Sequence, residues 1–141
     1  MDTKSFITTS SVQTKKLGEM LAKELHGGDI ICLSGDLGSG KTTFTQGILK
    51  GLGVKGPFTS PTFNIIKTYK TKLKNIYHID AYRISYKDLL ELGWKDFAGK
   101  SNSIVIIEWA ERVKKIIPAK SFWIGFRWIN DKERNITLSL K

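Results

Sequence analysis

The sequence predicts a single α/β domain over residues 1–141, with a central mixed β-sheet flanked by helices and a C-terminal antiparallel hairpin. Three patterns carry this reading. Ile30 to Leu33 and Ile104 to Ile107 are continuously apolar, the character of strands buried on both faces. Stretches of helical periodicity lie between them, the alternation expected when helices cover a sheet. Near the end Phe122, Ile124, Phe126 and Trp128 recur at every second position, as do Ile136, Leu138 and Leu140, around the turn-forming Asn130-Asp131-Lys132.

In chain order, Phe6 and Ile7 suggest a short first strand. Ser10-Ser11-Val12-Gln13 offers a capping box, and Leu17, Met20, Leu21 and Leu25 follow at helical spacing until Gly27-Gly28. A buried strand from Ile30 to Ser34 leads into a glycine-rich loop. A helix then runs from Thr43 to about Leu52, stopped by Gly51 and Gly53. Thr62 to Tyr69 and Ile76 to Asp80 read as a hairpin. Ser85 with Asp88 caps a short helix through Leu92, and Gly93 to Asn102 reads as a loop. The run to Ile107 ends at Glu108, and a helix is expected from about Trp109 to Ile117, closed by Pro118.

Hydrophobic residues make up 40% of the chain and aromatics 11%, enough for a packed core. The one cysteine, Cys32, lies inside an apolar run, which suggests core packing in a reducing, cytoplasmic setting. No segment has the unbroken apolar length of a bilayer span, so neither membrane anchoring nor export is expected. The net charge of +10 invites a nucleic-acid partner, but only four of the 23 basic residues are arginines. Many of the lysines are scattered singly, so a general lysine bias explains the excess better than a binding face does. DNA is not indicated.

Gly35-Asp36-Leu37-Gly38-Ser39-Gly40-Lys41-Thr42 matches G-x-x-x-x-G-K-[ST], directly after an apolar strand and directly before a helix. In such a P-loop the glycines let backbone N–H groups close around phosphate oxygens, and the lysine places a point charge on the β and γ phosphates. The Thr42 hydroxyl is placed to ligate Mg²⁺, and the helix aims its positive end at the phosphates. The expected ATP-contacting set is therefore Gly35, Asp36, Gly38, Ser39, Gly40, Lys41, Thr42 and Thr43, within a P-loop NTPase fold. The alternative is a glycine-rich turn with no ligand.

Ligands of open α/β sheets bind at the carboxyl ends of strands, where Asp80 and Glu108 both fall. Glu108 is the candidate to hold Mg²⁺ or its water, unless it only favours the start of a helix; Asp80 competes for that task, or orients the attacking water, or merely caps a turn. With Lys41 these two form the candidate catalytic set. Ser60-Pro61-Thr62-Phe63 stands where a nucleotide-sensing loop occurs in P-loop proteins, or is an ordinary turn. His78 is expected to pack or to hydrogen-bond, and the aromatics of the last hairpin to be core.

GDLGSGKTTF, SPTF, HIDAYR and IIEW, in that order, closely resemble the bacterial TsaE family over nearly the whole chain. The resemblance implies an ATPase that works with the TsaB and TsaD proteins in forming N6-threonylcarbamoyladenosine in tRNA. Its ATP and Mg²⁺ chemistry would support that assembly, with tRNA reached through the complex and the transfer itself made by TsaD. It implies phosphate and metal roles for Lys41 and Thr42 and a metal role for Glu108, and it makes Asp80 and Trp109 functionally important, with Trp109 joining the ATP-contacting set. Ala110 departs from the proline often found there. The rival functions are a small-molecule P-loop kinase, for which the chain has few arginines to offer, and a nucleotide-dependent switch that binds RNA or protein.

Overall fold

The computed structural model describes residues 2–36, 38–58, 65–72 and 74–140. Seven strands form one mixed sheet: β1 (Asp2–Thr8), β2 (Ile30–Gly35), β3 (Ile66–Lys70), β4 (Asn75–Asp80), β5 (Ser103–Glu108), β6 (Phe122–Trp128) and β7 (Arg134–Leu140). Their order is β1-β7-β6-β2-β5-β4-β3. The central β6, β2, β5 and β4 run parallel, while β7 and β3 are antiparallel to their inner neighbours. The terminal hairpin is thus β6–β7, and β1 pairs antiparallel with β7 to make one edge.

The fully apolar sequences of β2 and β5 follow from their central places, with helices on both faces. Ile31, Leu33, Ile104, Ile106, Ile124 and Phe126 point to one side, where they pack on α1 (Ser11–Ala22) and α2 (Lys41–Gly51). Ile30, Cys32, Val105 and Ile107 point to the other, against Leu89 of α3 (Tyr86–Glu91), Trp94 and Phe97 of α4 (Trp94–Phe97), and Val113. Cys32 is fully buried, and burial raises its thiol pKa to about 12, as suits a packing residue. No helix among the described residues is long and apolar enough to cross a membrane.

α1 and α2 pack through glycine. A Cβ on Gly18 would lie 2.3 Å from the Phe44 carbonyl oxygen, and one on Gly47 would lie 2.0 Å from that of Lys15. That close approach fixes the start of α1 beside the start of α2. Ser10 caps α1 by accepting from the Gln13 amide, but the return arm of the expected capping box is shifted by one residue: Gln13 Oε1 accepts from Thr9, at both its amide and its hydroxyl. The Ser85–Asp88 box is complete.

Three expectations change. Residues 93–102 are not all loop, because Trp94–Phe97 makes one helical turn, and its Phe97 stacks on Tyr77 with ring centroids 4.2 Å apart. The segment after Glu108 is a 3-10 helix, Ala110–Ile116, broken at Val113 (φ −123°), and Trp109 stands outside it. In the last hairpin Phe126 is buried, but Trp128, at the end of β6, is 48% exposed and not core. The strand expected over 62–69 is described only as β3, and Ser60-Pro61-Thr62-Phe63 lies outside the described residues.

Candidate functional site

The turn out of β2 demands glycine. Gly35, Gly38 and Gly40 have φ of 139°, 76° and 105°, a region that side chains other than glycine's rarely adopt. α2 follows at once, with Gly40 as its N-cap and no side-chain cap. The first-turn amides of Lys41, Thr42 and Thr43 have no acceptor within a helix. α1 and α3 are capped by serines, whereas α2 opens uncapped into a cleft of about 670 Å³. Gly38, Ser39, Gly40, Lys41, Thr42 and Thr43 line this cleft, and Ser39 Oγ is buried there with no partner among the described residues.

Lys41 is 5% exposed, yet its head is at the cleft. Its Nζ donates to the Asp36 carbonyl at 2.9 Å and to the Gly35 carbonyl, and stands 3.9 Å from the centre of the Trp109 ring. Burial lowers its pKa from the ordinary 10.5, against the opposing pull of Glu111, Glu108, Asp36 and Asp80. Four carboxylates thus favour the cation, but desolvation prevails, and an incoming anion would relieve it. Gly35 and Asp36 do not line the cleft; their carbonyls accept from Lys41.

Strand parity places the acids. His78 and Asp80 on β4, and Ile106 and Glu108 on β5, all point toward the α1/α2 face, with His78 in register with Ile106 and Asp80 with Glu108. Because β5 lies next to β2, Glu108 reaches the start of α2, where Thr42 Oγ1 donates to its Oε1 at 3.0 Å. Its Oε2 accepts from His78 Nε2 at 2.6 Å. Asp80, one strand further out, also lines the cleft, and its Oδ1 accepts from the Tyr82 amide at 2.9 Å, capping the turn into Tyr82-Arg83. The hydroxyl and carboxylate of Thr42 and Glu108 are hard oxygen donors of the kind that suits Mg²⁺. No group of three or more His, Cys, Asp or Glu placed to hold a metal occurs among the described residues. Two such donors fit Mg²⁺ as it is commonly held, by one or two protein oxygens with phosphates and waters completing its shell.

Trp109 has φ 60° and ψ 39°, a left-handed conformation that costs a non-glycine residue on the order of 1–3 kcal/mol. That turn lays its ring between Lys41 and Tyr82, whose ring centre is 4.8 Å away. Trp109 also lines the cleft.

The sequence model for "Threonylcarbamoyl adenosine biosynthesis protein TsaE" matches residues 8–136. The chain belongs to the TsaE family. Among relatives named tRNA threonylcarbamoyladenosine biosynthesis protein TsaE, that of Bacillus subtilis is 35% identical over 94% of this chain and 82% of its own length. The Treponema pallidum TsaE is 33% identical over 94% and 98%, and the Haemophilus influenzae TsaE 40% identical over 88% and 78%. The crystal structure of Bacillus subtilis YdiB superposes with a TM-score of 0.83 at 31% identity, covering 99% of this chain and 86% of that one.

The fold of this TsaE chain brings Lys41, Thr42, Asp80, Glu108 and Trp109 to one cleft. It also adds residues the sequence does not mark. Thr9, Ser10, Ser11 and Thr14 line the wall beside α1, and Asp131, Lys132 and Arg134 line the wall from the β6–β7 turn. Arg134 Nε donates to the Gly38 carbonyl at 3.1 Å, and its Nη1 donates to the carbonyls of Asn130 and Glu133, tying that turn to the glycine-rich loop. Sequence distance favours Arg83 and Arg112 as the nearest guanidinium groups. Neither lines the cleft; Arg112 lies over Tyr82 at 4.9 Å. The pairing of β6 with β2, which sets Phe126 opposite Gly35, and the return of β7 along β6, which sets Arg134 opposite Trp128, carry Arg134 there.

Proposed function

We propose that this TsaE-family chain is a Mg²⁺-dependent P-loop ATPase that supports N6-threonylcarbamoyladenosine formation in tRNA with TsaB and TsaD, without making the transfer itself. The observation that carries this reading is an uncapped α2 opening into a cleft where Lys41, Thr42 and Glu108 converge on a glycine-rich loop. Lys41, desolvated and held by two carbonyls, gains most from a phosphate anion. The α2 amides and the orphaned Ser39 hydroxyl supply further donors. Thr42 and Glu108 would hold Mg²⁺, which when bound neutralises charge on the β and γ phosphates. Asp80 faces the same cleft and would orient the attacking water.

The turnover of the isolated chain should be slow. Among the described residues Arg134 is the one arginine that lines the cleft, and it is committed to three carbonyls. A partner would then be the source of a free arginine for the transferring phosphoryl group. Linkage then requires ATP to tighten association with that partner by the factor by which the partner tightens ATP. The test is ATP hydrolysis by the chain alone and with its TsaB and TsaD counterparts, together with association of the three in ADP, ATP or a non-hydrolysable analogue. Stimulated hydrolysis and ATP-dependent association support the reading. Nucleotide-independent association with unchanged turnover refutes it.

A further inference from the structure

Among the described residues the Glu108 carboxylate is held by two hydrogen bonds, and one of them comes from the helix that follows the glycine-rich loop. We propose that His78 is a positioning residue for Glu108: it occupies Oε2 and so leaves Oε1 as the oxygen turned toward Thr42 and a phosphate-borne cation. This rests on the ATPase reading above.

The geometry is set by the sheet. In a parallel pair, residues of like parity share a face, and His78, opposite Ile106, sits one pleat behind Glu108 on the neighbouring strand. From there its ring reaches forward to Oε2 at 2.6 Å. Both residues are buried, His78 at 2% exposure and Glu108 at 3%. A carboxylate oxygen only accepts, so Nε2 carries the proton of this bond. Nδ1 has no partner among the described residues. Burying an imidazole between apolar strands costs free energy unless its polar atoms are matched, and the match at Nε2 is Glu108. A residue kept for packing alone would be better served by a leucine of similar bulk. What the histidine adds is direction: a glutamate side chain has three torsions, and the bond at Oε2 selects among them. With Oε2 anchored, Oε1 lies 3.0 Å from the Thr42 hydroxyl. The other strand-end acid is oriented differently, with Asp80 Oδ1 turned back to the Tyr82 amide two residues along its own chain.

The experiment measures ATP affinity by calorimetry in EDTA and across a Mg²⁺ titration, for the wild-type protein and for His78→Ala, His78→Gln and His78→Asn. The glutamine amide nitrogen reaches the place of Nε2, whereas the asparagine nitrogen corresponds to Nδ1 and falls short of Glu108. Loss of such an outer partner commonly costs about 10- to 100-fold in metal affinity. We expect His78→Ala and His78→Asn to raise the Mg²⁺ concentration for half-effect by about tenfold or more, with affinity in EDTA changed less than about twofold and glutamine restoring the wild-type midpoint. A merely structural histidine would lower the unfolding temperature of the variants and leave the Mg²⁺ midpoint of folded protein where it was. If His78→Ala does not fold, the glutamine and asparagine variants decide between these outcomes. An unchanged midpoint in His78→Asn, or a glutamine variant no better than asparagine, overturns the positioning role while leaving the ATPase reading intact. Absence of ATP binding by the wild-type protein removes both.

Discussion

Thr42→Val keeps the shape of the side chain and removes the hydroxyl that donates to Glu108 Oε1 at 3.0 Å. Glu108 is 3% exposed, so solvent replaces that donor poorly. Hydrogen bonds to charged groups are worth about 1.5–3 kcal/mol. His78 continues to hold Oε2, which places the expected loss at the lower end, about 1.5–2 kcal/mol. In a domain of this size that lowers the melting temperature by about 3–8 °C. The assay is urea unfolding without nucleotide or Mg²⁺, run as a double-mutant cycle with Glu108→Gln. In the uncharged Glu108→Gln background the hydroxyl meets a neutral acceptor worth about 0.5–1.5 kcal/mol, so the loss from Thr42→Val should shrink by about 1 kcal/mol. Equal losses in the two backgrounds, or no loss in either, would show that Thr42 and Glu108 do not interact as described.

Three further outcomes follow from the site. Burial lowers the Lys41 pKa in the folded chain, so below that lowered value both folded and unfolded lysines are charged and the full burial penalty is present; above the ordinary 10.5 neither is charged and it is gone. The stability of Lys41→Met relative to wild type should therefore fall as pH rises through this window, and a flat difference in urea midpoints would contradict it. Arg134→Lys loses the planar fork that binds three carbonyls, and ATP affinity by calorimetry should drop by about threefold to tenfold with the fold retained; an unchanged affinity would make the tie between turn and loop irrelevant to binding. Trp109→Ala and Trp109→Gly both lose the ring over Lys41, but only glycine is at ease at φ 60°, so the glycine variant should be the more stable by about 1 kcal/mol in thermal unfolding. Equal stabilities would mean that the left-handed turn carries no cost.

The strand, loop and helix around Lys41 are legible in the sequence because their signals are local: an apolar run, glycines at fixed offsets, then helical periodicity. Asp80 and Glu108 are legible as strand ends for the same reason. Which of them touches Thr42 is not, since both share the same parity and the same motif-like setting. Strand order decides it, by putting β5 and not β4 beside β2, and order is a property of the assembled sheet. Arg134 is invisible to any local reading, because the terminal hairpin must pair with β2 through β6 before it meets Gly38. The anchor from His78 to Glu108 is likewise a diagonal contact between separate strands. The single turn Trp94–Phe97 is too short for periodicity to show. The 3-10 helix after Glu108 has an apolar spacing that resembles an α-helix, while the left-handed turn at Trp109 has no sequence signature outside glycine and asparagine.

In the proposed function the glycine-rich loop and Lys41 bind the phosphates of ATP. Calorimetric titration of ATP with Mg²⁺ into the wild-type protein and into Lys41→Ala, with circular dichroism confirming that both are folded, tests it directly. The expected result is saturable binding at a single site in the wild type, weakened by about two orders of magnitude or more in Lys41→Ala, the scale that follows when a buried charge partner of a phosphate is removed. A folded Lys41→Ala protein that binds ATP as tightly as the wild type, or a wild-type protein that does not bind it, would contradict this role.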